Sequence, residues 1–278
     1  MTEERPVQKK VNLPVEEFYS KAKEIIDGAN RRGIHLRMLG SVAVYHQLRE
    51  SERERDLFLN LGRIEQGVNP FTDLDLIAYK KEYGKVVDYI EKDLGFLPEQ
   101  SINVVFGLER NIFHSPDKKY DVDIFYSCLN FSHRICWGDS NSAGKLPDND
   151  YSIKLDDIIA EKLQIHDINK KDLIDLALMF MMASRKRLNL DYSLLLERTA
   201  DDWGYWYDSK ENLAKVSSLT NILLSSGRIS RDEEAMINSE IAKLTKKLDE
   251  SDKTLRWKRR SKRGTSLRWY NEIEEVER

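Results

Sequence analysis

The chain has 278 residues, 40% hydrophobic and 33% charged, with a formal net charge of −3. That length can bury a large core, and the composition excludes a disordered or fibrous protein. The small net charge does not bear on a nucleic-acid partner, so local clusters must carry that question. Two cysteines, Cys128 and Cys136, give no disulfide framework and point to a reducing compartment. The stretch MTEERPVQKKV is charged and has no apolar h-region, so no secretory signal is read there. The longest apolar run, LIDLALMFMMA at 173–183, contains Asp175 and is too short to span a bilayer. A soluble cytoplasmic protein without a membrane partner is expected.

Residues 1–14 are expected as a loose tail, 15–186 as a core with packed helices, and 187–278 as a helical extension with a basic tail. Pro14 opens a helix carrying Phe18, Ala22, Ile25 and Ile26 at helical spacing, with Gly33 as its stop. IHLRMLG reads as a short strand ending at Gly40, and a helix follows from Ser41. Residues 50–70 are charged and irregular, a loop or a frayed helix. PFTDLDLIAY at 70–79 alternates through Phe71, Leu74, Leu76 and Ala78, the period of a half-buried strand. KEYGKVVDYIEKDLG is an amphipathic helix closing on Gly95. Residues 101–127 read as two or three short antiparallel strands around a turn at SPDKK. Residues 137–150 read as a loop, and from 155 the pattern is helical. The order predicts an α+β fold, a mixed sheet with flanking helices followed by a helical region.

The chemistry centres on the strand. Residues two apart share a strand face, so Asp73 and Asp75 project together while Leu74 and Leu76 point inward. Paired carboxylates raise each other's pKa unless a cation sits between them. Mg²⁺ or Mn²⁺ suits hard carboxylate oxygens and leaves room for water and phosphates. KKYDVDIFYS repeats the device with Asp121 and Asp123. If the two strands are neighbours, the acids converge at one end of the sheet and can hold two metals for in-line phosphoryl chemistry. Taken alone, the D-x-D is more simply a pair of exposed strand-end aspartates. Gly40-Ser41 joins a strand to a helix N-terminus, where free N–H groups and the dipole favour phosphate. Alone, Ser41 is more simply an ordinary N-cap.

The order LGS, TDLDL, DVDIF resembles the nucleotidyltransferase superfamily, the fold shared with polymerase-β-like enzymes. The resemblance implies that Gly40 and Ser41 hold the terminal phosphates of an NTP substrate. It makes Asp73, Asp75 and Asp123 the metal ligands, with Asp121 as the fallback for the third. IIAEKLQIHDINKKDLIDLALM is similar to the helical segment of the abortive-infection type E toxin branch. This gives Lys162 a role at the leaving phosphates and puts Asp172 and Asp175 at the nucleotide site in support. TADDWGYWYDSKENL also resembles a segment of uncharacterised members, so the likeness spans roughly 36–215. The implied function is transfer of NMP from an NTP to an unidentified acceptor (RNA, protein or small molecule), releasing pyrophosphate. The alternatives are a non-catalytic nucleotide- or RNA-binding regulator with a cognate antitoxin or regulator as partner, and transfer of the γ-phosphate.

Two departures and two alternatives stand beside this reading. The stretch between Ser41 and Asp73 is longer than in minimal members and holds RESERERD. Thr72 directly precedes the D-x-D, and Arg63 is the nearest basic residue upstream. Lys162 is equally a snorkelling lysine at a helix–core border. Asp172 and Asp175 share a helical face and are a cap and a surface charge, or orient Lys162.

Other signals carry less. CLNFSHRIC offers Cys128, His133 and Cys136 but no fourth zinc ligand, so structural thiols and a hydrogen-bonded His are expected. GDSNSAGKL has the wrong spacing for a phosphate-binding Walker loop and ends on Leu146. LRWKRRSKRGTSLRWY at 255–270 interleaves cations with Trp257, Trp269 and Tyr270. It reads first as a solvated basic tail balancing the acidic end, and second as an RNA contact.

Overall fold

The computed structural model describes residues 11–62 and 69–272. Arg63, most of the expected N-terminal tail and the acidic end beyond 272 lie outside the described residues.

The fold is mixed α+β. The first helix, α1 (Val15–Arg31), buries Phe18, Ala22, Ile25 and Ile26 as the spacing requires. Strand β1 (Leu36–Met38) leads into α2 (Gly40–Leu48). Next comes α3 (Glu52–Asn60), a formed helix within the stretch read as loop or frayed helix. It is anchored by buried Leu57 and Phe58, and its Glu54 accepts from Arg185 Nε at 2.7 Å. Strand β2 (Leu74–Ala78) is followed by α4 (Tyr83–Asp88), which runs into a π-turn and stops before Gly95. Then come β3 (Leu97–Pro98), α5 (Gln100–Phe106), β4 (Arg110–His114) and β5 (Asp121–Tyr126).

The run read as the first strand of 101–127 is the helix α5. Its Val104 and Val105 side chains lie out in solvent, so their β-branching earns no packing that would favour a strand. The edge of β4 is met instead by a side chain. Asn103 Nδ2 donates to the Ile112 carbonyl at 3.1 Å, and Ile112 N–H donates to Asn103 Oδ1 at 2.7 Å.

The main sheet runs β1-β2-β5-β4-β3. Only β2 and β5 pair in parallel, and the other neighbours are antiparallel. Leu74, Leu76, Val122 and Ile124 are fully buried on one face. The other face carries Asp75, Asp121, Asp123, Arg110 and His114, by alternation from the registers Asp75↔Asp123, Ile112↔Asp123 and His114↔Asp121.

A hairpin follows, β6 (Cys128–Asn130) with β7 (Arg134–Cys136). Cys128 and Cys136 are directly opposed in it and joined as a disulfide. The expectation of free structural thiols is therefore corrected, and with it the ground for inferring a reducing compartment. The reason is the two-strand register, which sets the two residues directly opposite each other. No helix among the described residues is long and apolar enough to cross a membrane.

Segment 151–153 pairs with Met38 beside β1, then enters α6 (Leu155–Leu163). The remaining helices are α7 (Lys170–Arg185), α8 (Ser193–Asp201), α9 (Trp203–Ser225), α10 (Arg231–Glu250) and α11 (Leu255–Ser261). Helix α7 packs on α2 and α3 on one side and on α9 and α10 on the other, tying the helical extension to the core.

The basic C-terminal stretch folds back. Trp269 Nε1 donates to buried Asp208 at 2.9 Å, Tyr270 stacks on His166, and Trp257 meets the Trp206 ring edge-on. The three aromatic side chains thus pack within the protein, while Lys258, Arg259, Lys262 and Arg263 are exposed. Gly204 makes the docking possible, since a Cβ there would lie 2.3 Å from the Trp269 carbonyl oxygen. Gly204→Ala is expected to release this segment at a cost of about 1–3 kcal/mol. Hydrogen exchange over 254–272 should rise; unchanged protection would refute the docking account.

Candidate active site

Gly40 begins the site. It sits where β1 turns into α2, with φ +59°, in the left-handed region that disfavours side chains. A Cβ there would come 2.3 Å from Asp75 Oδ2. Glycine is thus required twice, by the backbone and by the close approach of a carboxylate. Ser41 follows in the first turn of α2.

Asp75 lies in β2, with its backbone carbonyl accepting from Leu39 N–H at 2.9 Å. Asp73 stands just before the strand, and the Thr72 hydroxyl donates to its Oδ1 at 2.8 Å. The parallel register sets Asp123 directly beside Asp75 and leaves Asp121 nearer the strand start. Asp123 is 1% exposed and is gripped by Arg110, whose Nε donates to Oδ1 at 2.9 Å. Asp121 faces His114, with Nδ1 and Oδ1 2.7 Å apart, and His114 Nε2 lies 3.1 Å from Glu99.

Asp75 is partly open to solvent, yet its carboxyl is surrounded by protein and acids. Burial pushes its pKa well above the ordinary carboxylate range; Asp73, Asp123 and Glu161 push it further, and Lys171 alone among the main causes pulls it down.

Glu161 and Arg110 were not anticipated from the sequence. The Gly40 N–H donates to the Glu161 carboxylate, 3.2 and 3.3 Å from its two oxygens. A side-chain carboxyl group therefore takes the Gly40 N–H at the helix start that the sequence assigns to phosphate. The only local signal for Glu161 is its place beside Lys162. For Arg110 there is none, because its partner lies across a strand pair.

Lys162 is 4% exposed and points inward rather than along a core edge. Its Nζ lies 2.5 Å from Asp172 and 3.4 Å from Asp175. Burial alone would lower its pKa, but Asp172, Asp175 and Glu161 outweigh that and raise it. Asp172 is held in the first turn of α7, where its N–H donates to the Asn169 side chain at 3.0 Å. Both acids meet the Lys162 ammonium.

Glu161 supplies a pH test. Its carboxyl is pushed from 4.5 up to about 7, chiefly by burial, with Lys162 and the Gly40 N–H opposing. Below 4.5 both states carry the proton. Between 4.5 and about 7 the folded chain keeps a proton that the unfolded chain has released, so stability falls as pH rises through that window and stays lower above it. Glu161→Gln removes this titration. Relative to wild type, its stability in urea melts should rise by roughly 3 kcal/mol between acid and neutral pH. A difference independent of pH would refute it.

Among the described residues no group of three or more His, Cys, Asp or Glu side chains stands ready as a metal cage. His133 is hydrogen-bonded as expected, with Nε2 2.8 Å from Asp208. Comparison with protein-family models, with curated proteins and with solved structures finds no match to this chain.

Proposed function

We propose that the chain is a divalent-metal-dependent nucleotidyltransferase that moves NMP from an NTP to an acceptor hydroxyl. One observation carries this reading: Asp75 is crowded by Asp73, Asp123 and Glu161 against a glycine that abuts its carboxylate. Such crowding costs stability unless a cation relieves it, and hard oxygen donors suit Mg²⁺ or Mn²⁺. Asp73, Asp75 and Asp123 would hold the metal, which when bound supplies charge neutralisation on the phosphates. Gly40 and Ser41 at the α2 N-terminus receive the β and γ phosphates. The acceptor oxygen bonds to the α-phosphorus, and the bond to the bridging oxygen breaks. Pyrophosphate leaves with that electron pair, and the acceptor proton passes to a carboxylate of the Asp73–Asp75–Asp123 group. Lys162 acts on the site through Glu161, whose charged form its ammonium favours. Catalysis is then positioning and electrostatics.

A second reading, a nucleotide- or RNA-binding regulator without chemistry, is favoured by Glu161 already filling the Gly40 N–H. One experiment separates the two. The protein is incubated with α-labelled and γ-labelled NTPs, Mg²⁺ and cell extract. Transfer of the α label supports nucleotidyl transfer, and transfer of the γ label alone would replace it with phosphotransfer. NTP binding with no label transferred supports the regulator.

A further inference from the structure

A cavity of about 440 Å³ adjoins the carboxylate row on the side away from Gly40. It is lined by Thr72, Leu97, His114, Lys118, Lys119 and Tyr120, with Asp121 at its inner wall. We propose that this cavity is the acceptor subsite, and that it takes a phosphate-bearing compound with a free hydroxyl. The inference rests on the nucleotidyl-transfer reading and adds to it the class of the second substrate.

The sheet order argues the position. The α2 N-terminus, with Gly40, lies at the β1 side of β2. The cavity is built from β3, β4 and the start of β5, on the other side of Asp73 and Asp75. In-line displacement needs the incoming oxygen opposite the leaving pyrophosphate. A leaving group seated at Gly40 therefore requires the acceptor to enter from the β5–β4–β3 side, where the cavity is. Thr72 joins the two regions, since it lines the cavity and donates to Asp73.

The lining argues the chemistry. Leu97, half exposed, and the Tyr120 ring give an apolar wall for the body of a ligand. Lys118 and Lys119 line the cavity beside a site otherwise dominated by carboxylates, and the Lys119 ammonium also lies 3.7 Å from Asp117. An uncharged acceptor makes no use of the lysines' charge, and a cationic one is repelled by them. A phosphate uses both as charge-assisted donors. His114 is fixed between Asp121 and Glu99, so its ring forms a rigid side of the cavity. The volume lies within the range that holds small-molecule substrates.

The test follows backbone amide NMR signals of the full chain on adding ribose 5-phosphate, ribose or a trinucleotide RNA. Ribose 5-phosphate should perturb Thr72, His114 and 118–121 saturably, and ribose should not. Lys118→Ala/Lys119→Ala should weaken that response at least tenfold. A stronger trinucleotide response identifies the phosphate source as a nucleic-acid end, and a stronger sugar phosphate response identifies a small metabolite. Shifts outside the cavity, or a double variant responding as wild type, overturn the proposal. ATP with Mg²⁺ in the same samples should perturb Gly40, Ser41 and Asp75 in both proteins. Failure of that response alone would sink the transfer reading and leave the cavity as a phosphate site.

Discussion

Asp73→Asn/Asp75→Asn is expected to lose metal-dependent label transfer by at least roughly 10³-fold, the scale at which charge stabilisation matters in phosphoryl transfer. The double variant should nevertheless fold at least as well as wild type near neutral pH. The sign follows from Asp75, whose folded pKa is raised, with burial the largest cause. As pH climbs from the ordinary carboxylate range through that raised value, the folded state resists losing a proton that the unfolded state gives up, so wild-type stability drops. Asn carries no proton to lose and removes that penalty. Transfer assays and thermal melts on the same sample check both halves. Unchanged transfer would end the enzymatic reading, and a melt well below wild type would mean that Asp75 is a structural residue. Arg110 would still grip Asp123 in the variant, so the sheet should keep its register.

Lys162→Met is expected to cost about 3–5 kcal/mol, because it strands Asp172 and Asp175 in the interior without their cation. Both acids are deeply buried, 5% and 0% exposed, so water does not replace the ammonium. For a chain of this size the melting temperature should fall by on the order of 10 °C. Lys162→Met/Asp172→Asn/Asp175→Asn should recover much of the loss, since removing a whole buried ionic group is milder than halving it. A single variant within about 1 kcal/mol of wild type would show that solvent reaches the acids. The pH dependence has the same sign as that of Asp75, since both folded values are raised, but it falls in an alkaline window. The raised pKa of Lys162 makes its contribution fully present below 10.5, and it is lost only as pH rises through the higher folded value.

Much of the sheet was legible because strand alternation is a local property. PFTDLDLIAY and DVDIFY announced β2 and β5, and their aspartates fell on a shared face for the reason the period gives. The α5 segment misled because its β-branched valines promise packing that the fold leaves to solvent. Cys128 and Cys136 misled because eight residues of spacing say nothing until a hairpin register opposes them.

The sequence by itself determined most of the helices though not α5, the central strands, the glycine at the β1–α2 turn and the acids that can share one face, since each rests on spacing along the chain. Only the tertiary structure decided what those groups meet. It brought Glu161 from α6 onto the Gly40 N–H, Arg110 onto Asp123 and His114 onto Asp121, and it buried Lys162 between two acids. Each of these pairings joins residues whose proximity depends on sheet order and helix packing, and charge complementarity acts only after that proximity exists.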